Sequence, residues 1–290
     1  VGLAFLLQLG MAFYDTCTDG LALDITPESE RGILQGFMVG GRSVGVIVAA
    51  SVAGLIAQHI SWSAVFYFLA LLTLIPIPFL FFIHELERAP EMRFNWKAFG
   101  AFKDRKVLAV AGVGLIVFMV IVGSNQIVNP SFDARIGIDL STAGLITTVW
   151  GIGCVAGAMV GGRVMDRLGN RSALRLSILL VVPAMVLLAL TASRPMMWLV
   201  TVFFGIAYGL SQAVYFALAM KYTQPAIAAS MYSILMAVTN IGQGIGLGLS
   251  GGLANSAGYP VTFLVFGALL LLVLPFFPIL FGKRPSSSRE

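Results

Sequence analysis

Three ionisable side chains, Asp15, Asp19 and Arg42, lie inside stretches of sequence that are otherwise almost wholly apolar. A charge at the centre of a bilayer costs at least roughly 2.5–3.5 kcal/mol unless it is paired or hydrated, so each such residue either carries chemistry or holds helices together. Asp15 and Asp19 are four residues apart and therefore share one face of a helix. On a helix ending near Asp24, Asp15 lies about 13 Å from that end, and Arg42 lies about 15 Å into a following helix that begins near Gly32. If the two helices run antiparallel these depths coincide, which allows an Asp15–Arg42 ion pair with Asp19 one turn nearer the helix ends. The pair reads either as a packing clamp or as a site that carries a proton or meets a charge on a substrate.

Uncharged polar residues form a second set. Ser124, Asn125, Gln126 and Asn129 gather near the end of one apolar run, and Tyr208, Ser211, Gln212 and Tyr215 recur at helical spacing in another. Asn240 and Gln243 interrupt a glycine-rich helix. Amides and phenols on one helix face suit hydrogen bonding to a polar solute in a cavity. The alternative is hydrogen bonding between helices, worth about 0.6 kcal/mol per contact. His59 and His84 stand alone, and no cluster of metal-ligating residues or paired nucleophile and base appears, which disfavours an enzyme and gives no metal or cofactor site. Cys17 and Cys154 both fall in apolar runs and read as packing residues.

The elements that must position these groups follow from composition. The chain is 58% hydrophobic and only 11% charged, far too apolar for a soluble domain of its length. About nine runs are long enough to cross a hydrocarbon core that needs roughly 20 residues, at residues 1–24, 33–57, 63–83, 107–128, 141–162, 173–192, 196–220, 227–253 and 260–281. They are continuously apolar and not alternating, so the expected fold is all-α, a polytopic membrane bundle and not a barrel. Fifteen of the 18 lysines and arginines fall in loops on one side and only Arg135 and Arg194 on the other. That asymmetry makes the first side, with the carboxy terminus, cytoplasmic. It also accounts for the +5 net charge without nucleic acid.

Between two of the apolar runs lies the segment Gly161-Gly162-Arg163-Val164-Met165-Asp166-Arg167-Leu168-Gly169-Asn170-Arg171. Its pattern, carried by Gly162, Asp166, Arg167, Gly169 and Arg171, resembles the cytoplasmic loop signature of the major facilitator superfamily, with Asn170 where that family usually has a second basic residue. The resemblance implies a gating hairpin in which Asp166 reaches the positive end of the helix beginning near Gly32, an interaction of about 0.3–1 kcal/mol. The stretch from Asp19 to Gly32, an acidic helix end and the turn Pro27-Glu28-Ser29-Glu30-Arg31-Gly32, followed by Gly40-Gly41-Arg42, is similar to the branch of that family containing muropeptide permeases and acetyl-coenzyme A transporters. Gly41 to Gly45 contains no proline, unlike the glycine-proline-glycine signature of proton-coupled drug antiporters.

The basic connection from His84 to Lys106 divides three runs from six, which the resemblance reads as the last three helices of one half and the whole of the other. The expected organisation is a partial amino-terminal half (residues 1–83), a cytoplasmic linker (84–106) in which residues 93–103 form a short helix at the membrane surface, and a six-helix half with a short tail (107–290). Three further helices are expected ahead of Val1. A weak repeat, with Gly54, Trp62 and Phe66 against Gly251, Tyr259 and Phe263, agrees with two parallel halves.

The resemblance implies a secondary transporter of a small polar solute, working by alternating access in a bacterial inner membrane or equivalent plasma membrane. Asp15, Asp19 and Arg42 would serve proton coupling or substrate charge, and Asn125, Gln126, Asn129, Tyr208, Gln212, Tyr215, Asn240 and Gln243 the substrate cavity. The expected partners are a small-molecule substrate, protons and the lipid bilayer, for a monomer that uses no cofactor. A facilitator-like membrane protein that binds a lipid, pigment or partner subunit without transport is the alternative.

Overall fold

The computed structural model describes residues 2–81, 96–224 and 227–282. Every regular element among them is helical: α1 (Gly2–Ile25), α2 (Arg31–His59), α3 (Trp62–Leu74), α4 (Ile77–Leu80), α5 (Arg105–Ile136), α6 (Leu140–Leu190), α7 (Arg194–Lys221), α8 (Ala228–Ala257), α9 (Tyr259–Leu270) and α10 (Phe276–Phe281), with short 3-10 turns between. In hydrocarbon a backbone must satisfy its own polar groups, and helices do so within one segment.

Local chemistry places the helix ends. Ser61 Oγ accepts from Ala64 N at 3.2 Å, Asp104 Oδ1 from Lys106 N at 2.8 Å, and Asp139 Oδ1 from Thr142 N at 3.0 Å. These satisfy amide groups that the first turns of α3, α5 and α6 would leave open. The bond from Thr142 also holds the exposed Asp139 carboxyl below its ordinary pKa. At the opposite ends, Arg135 donates to Leu188 O at 3.1 Å and Ala189 O at 2.9 Å, and Arg194 to Gly137 O at 3.2 Å. The two cations expected on the outer side thus both cover carbonyls at helix C-termini, where the helix dipole favours positive charge.

The arginine-rich hairpin is tighter than a loop. Helix continues through Leu168 and resumes at Asn170, and the break is Gly169 alone, at φ 77° and ψ 166°. Only glycine occupies that region without a steric penalty. Leu140 follows α5 after a short connection and Leu188 meets Arg135 near the end of the same helix, so α6 reverses direction at Gly169 and comprises two membrane-crossing arms. Among the described residues six helices meet the length and apolarity of a membrane span: residues 31–49, 105–136, 142–190, 194–221, 230–257 and 259–281. The third contains both arms of α6, while α3 is shorter and α1, which carries the aspartates, falls outside the six. Of the predicted surface helix, residues 96–103 form a 3-10 turn and residues 93–95 lie outside the described residues.

Packing is closest where glycines remove side chains. A Cβ at Gly157 would run into the Ile206 carbonyl and one at Gly209 into the Cys154 carbonyl, and Gly153 and Gly161 continue the contact along α6 and α7. Lipid offers apolar side chains as much as protein does, so dispersion at short range between backbones is what holds such helices together. On the outside, Phe66, Leu179 and Leu199 are exposed, as a lipid-facing surface requires. Gly157→Leu is expected to destabilise the fold by about 1–3 kcal/mol through overpacking, read as a lower melting temperature in detergent, whereas Gly144→Leu, at a glycine with open space around its Cα, should leave that temperature unchanged.

Candidate functional site

Asp15 and Asp19 on α1 face a cavity of about 380 Å³, together with Gln35, Val39 and Arg42 from α2. Phe118 of α5 and Gln212 and Phe216 of α7 form its opposite wall. The third side is α8, which contributes Tyr232, Met236, Asn240 and Gln243. Each set follows helical spacing, so one face per helix turns inward. The cavity therefore lies between the helices of residues 1–83 and those of residues 107–290.

The Asp15–Arg42 pair is present but loose. Arg42 Nη2 lies 3.8 Å from Asp15 Oδ1, with the side chains 54% and 40% exposed respectively. Both groups reach the open cavity, where hydration lowers the cost of ionisation and screens the attraction. Ion pairs in such surroundings contribute about 0–1 kcal/mol, so this one does little to hold the helices and leaves both charges available to a solute. Gln243 Nε2 donates to Asn240 Oδ1 at 2.9 Å, which orients two amides on the far wall.

Of the remaining expected cavity residues, Gln212 reaches the cavity and the others do not. Tyr208 is buried behind it, its hydroxyl accepting from Gln212 Nε2 at 3.4 Å and its ring packed edge-to-face on Trp150 with centroids 5.0 Å apart. Tyr215 is fully buried between Phe118 and Phe216, with its hydroxyl against Gly114. Asn125 and Asn129 line a separate recess of about 70 Å³, and Gln126 is exposed. Spacing alone cannot separate a phenol facing a cavity from one facing the next helix, because both faces of a packed membrane helix are apolar. Gln35, Tyr232 and Met236 were not expected. The signals were the seven-residue step from Gln35 to Arg42 and the face formed by Tyr232, Met236, Asn240 and Gln243.

The loop aspartate joins α6 to the start of α2. Asp166 Oδ1 accepts from Gly32 N at 2.9 Å and Oδ2 from Ile33 N at 2.7 Å. These amide groups have no partner within α2, and the carboxylate meets them at the positive end of the helix dipole. Glycine permits the approach: a Cβ at Gly162 would strike the Gly32 carbonyl, and one at Gly36 would come within 2.9 Å of the Ala158 carbonyl. Arg31 Nη1 donates to Met220 O at 3.4 Å, tying α2 to the end of α7. Gly169 makes the reversal, while Arg167 and Arg171 lie on the surface.

A helical bundle, a charged cavity lined by α1, α2, α5, α7 and α8 and an aspartate bridging α6 and α2 agree with the comparison of the sequence to family models. The model described as Major Facilitator Superfamily matches residues 1–129 and 112–290. The chain belongs to the Major Facilitator Superfamily. Its members are transporters, not enzymes. The chain is similar to the sialic acid transporter NanX of Escherichia coli strain K12, at 26% identity over 181 residues, 58% of this chain and 43% of that relative. The match thus spans less than half of the relative's length. Among solved structures, the human organic anion transporter MFSD10 superposes with a TM-score of 0.75 at 16% identity, covering 91% of this chain and 67% of that one. The superfamily transporter FucP in its outward conformation gives 0.74 at 13%, covering 93% and 72%. These likenesses are of fold.

Asp166→Ala is expected to cost about 1 kcal/mol of stability by uncapping α2, measured by thermal unfolding in detergent, with Asp166→Asn intermediate. Asp15→Asn and Arg42→Gln should each change stability by less than about 1 kcal/mol; a coupling energy well above that in the double-mutant cycle would show that the pair is a packing clamp after all.

Proposed function

We propose that this protein is a proton-coupled secondary transporter of a small, polyhydroxylated, acidic solute, working by alternating access of the helices of residues 1–83 and 107–290 around the Asp15–Arg42 cavity, with residues 84–106 as the linker. The observation that carries the reading is the composition of that cavity, in which two carboxylates and a guanidinium face a wall of amides across the boundary between the two parts. Arg42 supplies a fork of donors suited to a carboxylate, and the Gln212, Asn240 and Gln243 amides suit hydroxyl and acylamino groups. The relative NanX is a transporter of sialic acid, a sugar acid. The resemblance of residues 19–42 to the branch of muropeptide permeases and acetyl-coenzyme A transporters is compatible with this class, since muropeptides carry N-acetylated sugar acids.

Asp19 shares the cavity with Arg42 and Asp15. With Asp15 next to Arg42, Asp19 is the carboxylate left to take up and release a proton as its surroundings alternate between water and hydrocarbon. The Asp166 cap closes the side assigned to the cytoplasm by the distribution of cations, so this conformation is the outward-facing one, in a bacterial inner membrane with the carboxy terminus inside.

The test is uptake of labelled N-acetylneuraminate into proteoliposomes with and without an imposed proton gradient. Gradient-dependent accumulation is the expected result. Asp19→Asn should abolish accumulation while preserving exchange of solute across the membrane, and Arg42→Gln should raise KM about tenfold or more by removing a charge-assisted contact. Equal uptake with and without the gradient would remove the proton coupling, and absence of uptake for acidic sugars alongside uptake of neutral ones would remove the assigned substrate class.

A further inference from the structure

Two cavities of nearly equal size, about 380 Å³ and 390 Å³, border the same pair of helices, α2 and α7. The first is the central cavity. The lining of the second includes Arg31 and Gly32 of α2, Asp166 and Asn170 of α6, and Ala217 and Lys221 of α7. Among the described residues no side chain lines both. On α2 the lining passes from Gly32 of the second cavity to Gln35 of the first, a rise of about 5 Å. On α7 it passes from Ala217 to Phe216, its neighbour in sequence. The layer that separates the two spaces is therefore about one helical turn thick.

Gln35 and Met220 fill that layer. Gln35 borders the central cavity yet is only 1% exposed, because its amide is turned against α7. Its Nε2 donates to Met220 Sδ at 3.2 Å and to Met38 Sδ on its own helix at 3.5 Å. Met220 is fully buried, and its carbonyl accepts from Nη1 of Arg31, which lines the second cavity, at 3.4 Å. One residue of α7 is thus held by a side chain from each cavity. The pairing inside the layer is of a kind that parts readily. A thioether is a weak acceptor, so the Gln35 amide loses little when water replaces sulfur. A charged pair in its place would hold the helices shut, and a wholly apolar layer would expose hydrocarbon to water on opening.

We propose that the Gln35–Met220 contact is the inner gate of the central cavity, the layer that opens to join that cavity to the Arg31–Lys221 vestibule behind it. Arg31, Gln35 and Arg42 follow one another at steps of four and seven residues and so share one face of α2. That face runs from the vestibule through the gate to the charged centre, and it is the side of α2 that a solute follows once the layer parts. The assignment rests on alternating access around the central cavity, but neither on the identity of the solute nor on proton coupling.

Ala237, which is exposed and lines the central cavity, provides the reporter. Ala237→Cys is placed in a chain carrying Cys17→Ser and Cys154→Ala, and its reaction with the membrane-impermeant reagent trimethylammonioethyl methanethiosulfonate is timed from each face, in inside-out and right-side-out vesicles. No solute or proton gradient is present, so the outcome is independent of the uptake assay and either can fail alone. From the cytoplasmic face labelling is expected to be slow with the gate intact, and about tenfold or more faster with Gln35→Ala or Met220→Ala. Gln35→Met, which refills the layer, should restore slow labelling. Ser177→Ala, which removes a buried hydrogen bond between α6 and α7 outside the layer, should leave the rate unchanged. If Gln35→Ala does not insert, Met220→Ala opens the same layer from the opposite helix. The proposal is overturned if the inserted alanine variants label at the original rate, if Gln35→Met labels as fast as Gln35→Ala, if Ser177→Ala has the same effect, or if labelling from the outer face rises by the same factor, which would mean general loosening.

Discussion

The contact between α2 and the first arm of α6 is the one on which the rest of the structure depends. Gly32, Gly36 and Gly162 bring the two backbones together without side chains between them, and this approach is what lets both oxygens of Asp166 reach the open amides of α2. In a bilayer there is no hydrophobic gain from joining two apolar helices, so the junction relies on close packing and on charge-assisted hydrogen bonds. Both terms fall away steeply with separation. The junction is therefore suited to being either made or broken, which is what an element with two positions requires.

That closure leaves a space beside it, and the charges follow from the space. Asp15, Asp19 and Arg42 would be prohibitively placed if their helices faced lipid on every side. They are tolerated because one face of α1 and one of α2 border a cavity of about 380 Å³. The loose geometry of the Asp15–Arg42 pair at 3.8 Å belongs to the same logic. A tight, sealed pair would neutralise itself and offer nothing to a solute, whereas a hydrated pair keeps its charges available.

The second part of the molecule, from α5 onward, is packed differently. Its core is dense, with Phe204, Tyr215, Phe263 and Phe266 fully buried, and its polar groups are mostly held by the chain itself, as in the Ser177–Ser211 hydrogen bond at 3.0 Å. Among the described residues of this part, the buried Asn129 Oδ1, Ser131 Oγ, Trp150 Nε1, Thr201 Oγ1 and Tyr215 Oη have no hydrogen-bond partner.

Membrane class, helical fold and the superfamily were legible in the sequence, because a run of apolar residues and the hairpin from Gly162 to Arg171 report on local constraints: the thickness of hydrocarbon, the need for glycine at Gly169, the sidedness of arginine. The shared depth of Asp15 and Arg42 was legible for the same reason, since helical rise converts residue number into distance. What the sequence could not decide was rotation. Whether Tyr208, Tyr215 and Asn129 turn to the central cavity, to a neighbouring helix or to a recess of their own depends on the angle at which each helix packs, and in an interior that is apolar on every side no pattern of hydrophobicity records that angle. Only the tertiary structure, through the glycine contacts that set how closely and at what rotation α5, α6, α7 and α8 meet, separates a cavity wall at Gln212 and Gln243 from a packed core one turn away.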